Sequence, residues 1–101
     1  MKLMTKAILK SLPAIGATDG EKDPIVRVKY FCPWNHWSWY GIEFDPEKNL
    51  FFGFVAGDFP ELGYFSLTEL EEIRGFLGLG IERDLYFEPA PLSEIKSKVG
   101  V

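Results

Sequence analysis

The sequence predicts an α+β domain: an antiparallel meander sheet of about four strands, packed by two or three short helices. Three observations carry this reading. Runs rich in Val, Tyr, Phe and Trp fill residues 25–65 and are joined by short turn-forming segments. Helix signals flank that block on both sides, at Thr5–Leu12 and from Ser66 onward. The length, 101 residues, suits one domain rather than two.

The first helix follows from its ends. Thr5 is the N-cap, and Pro13 is the stop because it pushes the residue before it out of helical geometry. Ile8, Leu9 and Leu12 share a face, and Met4 and Leu9 are spaced for a hydrophobic staple. Residues 16–23 are polar and glycine-containing, a loop by composition. Ile25–Cys32 alternates, with Val26, Val28, Tyr30 and Cys32 on one face and Arg27 and Lys29 on the other. Trp37–Asp45 sets Tyr40, Ile42 and Phe44 against Trp37, Trp39, Gly41 and Glu43. Asn49–Ala56 is apolar on both faces, the pattern of a central strand. Turn residues in Pro33–His36 and Asp45–Asn49 make these strands antiparallel neighbours. Leu62–Phe65 reads as a short fourth strand.

Ser66 and Glu69 form a capping box, and Glu69, Glu71 and Glu72 sit near the positive end of the helix dipole. Leu67, Leu70, Ile73 and Leu77 give the apolar stripe, with Gly75 as the stop. Ile81–Phe87 is a last strand candidate, broken by Pro89 and Pro91, and Leu92–Lys98 a short closing helix.

Composition bounds the function. Apolar residues at 47% and charged residues at 26% exclude a disordered chain. No apolar run approaches the ~18–20 residues that span a bilayer. Lys2, Lys6 and Lys10 interrupt what a signal peptide keeps apolar. The expectation is a cytoplasmic single domain, 1–101, without membrane association. The lone cysteine makes no internal disulfide and excludes a cysteine-based zinc site. The formal charge of −4 is uneven: residues 1–32 carry net +3 and residues 33–101 net −7. That imbalance argues against a surface that tracks a phosphate backbone.

Aromatic residues make up 16% of the chain. Large rings fill a small core, burying roughly 150–250 Å² each. A subset, Trp34, Trp37, Trp39 and Phe59, is the candidate for an exposed binding patch instead. Arg27 and Lys29 beside Trp37 and Trp39 suit a base stacked next to a cation; the plainer reading is the solvated side of a half-buried strand. Glu82 and Asp84, two apart on a strand, share a face and can hold Mg²⁺ or Mn²⁺ with water, with Asp45, Glu61 or Glu88 to complete the set. The plainer reading is a surface ion pair or a loop-fixing network. His36, the only histidine, lies in a turn with no nucleophile motif nearby. Cys32 falls on a buried strand face, where a thiol is inert. Gly75–Gly80 lacks the lysine and the strand-to-helix setting of a phosphate loop and reads as punctuation. Gly57–Phe65, acidic and aromatic between glycines, suits either a recognition loop or a tight turn. No cofactor is implied.

Several segments in order resemble one family. They are Leu3–Thr5, Leu12–Thr18, Trp37–Tyr40, Glu43–Pro46, Leu50–Gly53, Glu61–Leu67 with Glu69-Leu70, and Ile81–Asp84. Together they resemble domain of unknown function 2958, across nearly the whole chain. The resemblance implies a small bacterial or phage protein of the kind encoded on plasmids, prophages and integrative elements. It implies no catalytic residues. Its setting points to replication or transfer accessories, anti-restriction and counter-defence.

Three readings follow. The leading one is a non-enzymatic protein-binding or regulatory module, using the acidic face of Glu69, Glu71 and Glu72 and the aromatics Trp34, Trp37, Trp39 and Phe59. An acidic surface of this kind can occupy a basic channel on another protein. The others are a Mg²⁺- or Mn²⁺-dependent hydrolase or nuclease on Glu82 and Asp84, and a nucleic-acid binder using Arg27, Lys29, Trp37 and Trp39. A homodimer fits all three, since exposed aromatics and a free sheet edge both invite self-association.

Overall fold

A computed structural model describes residues 1–100. Val101, the last residue of the expected 1–101 domain, lies outside the described residues. The chain runs α1 (Lys6–Ser11), β1 (Ile25–Val26), β2 (Val28–Phe31), β3 (Ser38–Asp45), β4 (Leu50–Ala56), β5 (Glu61–Ser66), α2 (Leu67–Glu72), β6 (Glu82–Arg83), β7 (Ala90–Pro91) and α3 (Leu92–Val99). Five strands form one antiparallel sheet in the order β5-β4-β3-β2-β6, and β1 pairs with β7 in a second, two-stranded sheet. The meander β2 to β5 is the expected one, and β6 adds a fifth strand at the β2 edge.

Both faces of the large sheet are covered. On one, Tyr30, Trp39, Phe44, Phe51 and Phe65 pack with Leu3, Leu67 and Leu70, and with the partly buried Ile8 and Leu12 of the α1 region. On the other, Tyr40, Ile42, Phe54 and Ala56 pack with Val26, Ala90 and the α3 residues Leu92 and Ile95. β4 therefore carries apolar residues to both sides, as its sequence required, with Phe51 on the first face and Phe54 on the second. β4 is an interior strand, paired with β5 on one side and β3 on the other.

Two irregularities correct the simple alternation. The run Ile25–Cys32 is not one strand. It breaks at Arg27, so Val26 enters the α3-side core while Val28, Tyr30 and Cys32 enter the other. In β3 the register to β4 shifts between Gly41 and Glu43, leaving Ile42 as a bulge. The extra residue moves Phe44 onto the face of Trp39, opposite Phe51, and leaves Glu43 opposite Phe52 on the other.

The helix caps hold as read. Thr5 Oγ1 accepts from the Ile8 N–H (3.2 Å) and Ser66 Oγ from the Glu69 N–H (3.1 Å). Leu9 is exposed, while Met4 packs against the core. α2 ends at Glu72, one turn before the expected stop, and Leu77 lies in a separate loop rather than on the apolar stripe. Of Ile81–Phe87 only Glu82–Arg83 pair as strand. α3 has no side chain of its own at the cap. Asp23, seventy positions earlier, accepts from the Ser93 N–H (2.9 Å) and Oγ–H (2.7 Å).

Candidate functional site

Three loops meet at one end of the large sheet. The β2–β3 loop, residues 32–37, lies between the β4–β5 loop, residues 57–60, and the loop after α2, residues 73–80. On one side His36 Nε2 stands 3.3 Å from Asp58 Oδ1, and the Trp37 ring lies so close to Gly57 that a Cβ there would fall 2.6 Å from it. On the other, a Cβ on Gly75 would fall 2.5 Å from the Trp34 ring. Glycine at both positions lets backbone and indole approach at a distance that any side chain would prevent.

The 73–80 loop is tied at its base. Arg74 bridges to Gly80 as an isolated antiparallel pair, and the Gly75 N–H donates to the Leu79 carbonyl (2.7 Å). Arg74 Nη1 donates to the carbonyls of Glu71 (2.7 Å) and Ile73 (2.8 Å), taking up acceptors that the end of α2 leaves free. At the tip Leu77 adopts φ 60°, the left-handed region that costs a non-glycine residue about 1–2 kcal/mol. The strain coincides with exposure: Phe76 is 76% and Leu77 84% exposed, with Leu79 also open to solvent. Phe59, in the β4–β5 loop, is 84% exposed, and Trp34 lies on the surface between the two loops. Residues 76–79 had read as punctuation. Their signal was three large apolar side chains spaced by glycines, a composition that cannot fold into a core by itself.

The expected aromatic patch is thus partly reassigned. Trp34 and Phe59 are at the surface. Trp37 is half-buried, its ring 5.9 Å from that of Trp39. Trp39 is only 9% exposed and belongs to the core, which removes it from any binding surface. Glu69, Glu71 and Glu72 are exposed on α2, directly ahead of the apolar loop. The acidic face and the apolar loop therefore adjoin.

The cations do not join them. Lys29 Nζ stands 3.8 Å from Asp84 Oδ2 and lies over the Tyr40 ring, 5.6 Å from its centroid. Arg27, at the break before β2, has a buried Nε without a partner. Trp39 is in the core and Trp37 half-buried, and the ring beside Lys29 is that of the buried Tyr40. The two acids proposed for a metal also part company. Glu82 lines a cleft of about 540 Å³ with Leu70, Arg74 and Ile81, whereas Asp84 lines another of about 650 Å³ with Lys29, Tyr40 and Glu88. The strand ends at Arg83, so the two-residue spacing does not keep them on one face. Asp84 accepts instead from the Tyr86 N–H (2.9 Å). Among the described residues no three His, Cys, Asp or Glu side chains come together as a metal-binding group. Cys32 is buried.

The buried carboxylate is Glu43, 2% exposed. Its Oε1 accepts from the Gly16 N–H (2.8 Å), and its Oε2 from the N–H (2.7 Å) and the hydroxyl of Thr18. Burial opposes its ionisation. The hydrogen bonds from Thr18 and Gly16 outweigh burial and hold the carboxyl below the usual range. Next to it the Phe44 N–H donates to the Pro13 carbonyl (2.9 Å). Leu12–Thr18 and Glu43–Pro46, apart in sequence, form one structural unit. So do Leu3 and β2, through the Tyr30 hydroxyl on the Leu3 carbonyl (2.7 Å). Burial raises the Tyr30 hydroxyl well above its ordinary pKa. The segments that carry the family resemblance thus hold the fold together.

No helix among the described residues is long and apolar enough to cross a membrane. No curated protein and no solved structure matches the chain. The model of one family does, over residues 3–98, and its description is "Protein of unknown function (DUF2958)". The match takes in every segment just described, from Leu3 on the Tyr30 hydroxyl to the closing helix α3, and the chain belongs to that family.

Proposed function

We propose that this chain is a non-enzymatic binding module that docks a protein partner with its loop end. The carrying observation is the 73–80 loop, which presents Phe76, Leu77 and Leu79 to solvent on a hydrogen-bonded base. A preformed apolar tip loses little freedom on binding, which favours affinity. Trp34 and Phe59 extend the apolar surface, and Glu69, Glu71 and Glu72 give it an acidic border. The partner this fits has an apolar groove with a basic rim. The mobile-element setting implied by the family resemblance makes counter-defence or anti-restriction the role such a contact would serve.

The test compares immobilised wild type with Phe76→Ser/Leu77→Ser in capture from a bacterial lysate. At least one protein retained by the wild type should fall about tenfold on the double variant, a loss of about 1.4 kcal/mol. Glu69→Lys/Glu71→Lys/Glu72→Lys should weaken the same contact and flatten its salt dependence. Equal retention of every protein by wild type and double variant would sink the reading.

A further inference from the structure

We propose that the chain pairs with a second copy of itself through β5, antiparallel, on a two-fold axis at Gly63. β5 is one edge of the large sheet. The direction of its backbone groups follows from two neighbouring bonds. The Leu67 N–H donates to the Asn49 carbonyl (2.9 Å), one step beyond the Leu50–Ser66 pair. Antiparallel pairs alternate between bonded and non-bonded, so Phe65, Gly63 and Glu61 face β4 with their N–H and C=O. Independently, the Phe44 N–H is taken by Pro13, away from β4, so Phe51 bonds toward its β5 partner Phe65. Both bonds leave the N–H and C=O of Leu62 and Tyr64 pointing out of the sheet.

The free stretch ends there. Pro60 has no N–H, and Ser66, the N-cap of α2, commits its carbonyl to the helix. A two-fold axis at Gly63 sets Leu62 against Tyr64 of the second copy, and Tyr64 against its Leu62. Every free group of both residues then has a partner. On the side-chain level the same register puts the exposed Leu62 beside the exposed Tyr64 of the second copy. This continues an apolar strip in which Tyr64 already meets Phe52 edge-on at 5.3 Å. Glu61, the one charged residue of β5, falls opposite Phe65 of the second copy. The two Glu61 positions lie about 14 Å apart along the strands at ~3.4 Å per residue, beyond the ~8 Å screening length of physiological salt.

Edges that stay unpaired are blunted by charges, lysine above all, by proline, by a bulge or by a cover. Leu62–Phe65 carries no charge, proline or bulge, and Glu61 is the one charge on the strand. The opposite edge, β6, has two residues, both charged, and the Arg83 side chain there is held by the Lys2 carbonyl (3.1 Å). The pairing strand supplied by a second copy is complementary by symmetry, without any further sequence requirement.

The whole chain is examined by sedimentation over a wide concentration range, with Leu62→Pro and Tyr64→Lys alongside. Leu62→Pro removes an outward N–H at an edge position, where proline is tolerated, and Tyr64→Lys adds an edge charge; both are expected to keep the native circular dichroism. Wild type should reach twice the monomer mass and both variants should remain monomeric. Gly63→Cys fixes the register. A Cβ at Gly63 meets nothing within 4 Å, and the same is true of Gly20, the control position. Mild oxidation should link Gly63→Cys into a covalent dimer far faster than Gly20→Cys. A wild type that stays monomeric at every concentration overturns the proposal. A dimer that survives in a folded Tyr64→Lys does so too, as does cross-linking no faster at Gly63 than at Gly20.

Discussion

The two ends of the large sheet use opposite chemistry. At the β3–β4 turn end a carboxylate, Glu43, is drawn inside and given a donor at both oxygens. At the other end large apolar side chains, Phe59, Phe76 and Leu77, are pushed out into water. Each arrangement is unfavourable unless something offsets it. Glycine and threonine donors do so inside, where an unpaired carboxylate would cost several kcal/mol. Among the described residues, none covers Phe59, Phe76 and Leu77 at the loop end. The comparison separates residues packed and hydrogen-bonded within the fold from residues left open to solvent, the ones the proposed docking would use.

The largest effect lies between the two ends. Phe51 is fully buried, stacked on Phe65 (4.9 Å) and in contact with Phe44 (4.6 Å) and Tyr30 (5.7 Å). Phe51→Ala should cost about 3–5 kcal/mol in urea unfolding, a large share of the ~5–15 kcal/mol that holds a typical domain together. A loss below about 1 kcal/mol would mean that the core collapses around the gap.

Next is the inward end. Glu43→Gln places an amide N–H₂ against N–H donors, leaving them unmatched at about 1–3 kcal/mol. At about 4–8 °C per kcal/mol the melting midpoint should drop visibly. The pH dependence sharpens this. Because its folded pKa lies below the unfolded one, the contribution of Glu43 is complete above the ordinary carboxylate range. It is lost as pH falls through the folded value. The gap between wild type and Glu43→Gln should therefore be full at pH 7 and shrink in acid below about pH 4.5. A gap that does not change with pH would mean that the ionised carboxylate is not what holds the 16–18 loop.

The smallest effect belongs to the outward end. Leu77→Gly relieves a left-handed residue but frees the unfolded chain, two terms of about 1 kcal/mol that oppose each other. Stability should move by no more than about 0.5 kcal/mol while partner capture falls. A clear loss of stability would show that the loop serves the fold, and would erase the contrast between the ends.

The sequence made the local rules legible. Thr5 and Ser66 as caps, the meander order and the two-sided β4 follow from residue type and spacing. The faces of β3 were not, because a one-residue bulge at Ile42 leaves no mark in hydropathy when Ile42 and Phe44 are both apolar. The break at Arg27 was hidden likewise, since Val26 and Val28 are buried in either arrangement and only the core they enter differs. The same limit governed the site. Trp34 and Trp39 are equally aromatic in sequence, and only the packing tells the surface residue from the core one. Phe76–Leu79 is not legible as a surface because its glycines read as punctuation after the helix, and Leu77 falls in step with the apolar stripe of α2 until the helix is seen to stop at Glu72.

The clasp between Asp23 and Ser93 has a bearing on the order of events. It docks α3, which with Ala90 covers Tyr40, Ile42, Phe54 and Ala56. Of the residues packed against those four, Val26 is synthesised before them, and Ala90, Leu92 and Ile95 come last. As the chain emerges, one side of the sheet has its lid early, from α1 and α2, while the other is completed only when residues 90–99 arrive. In that interval Tyr40, Ile42 and Phe54 lack the cover of α3, so the last ten residues close the second core.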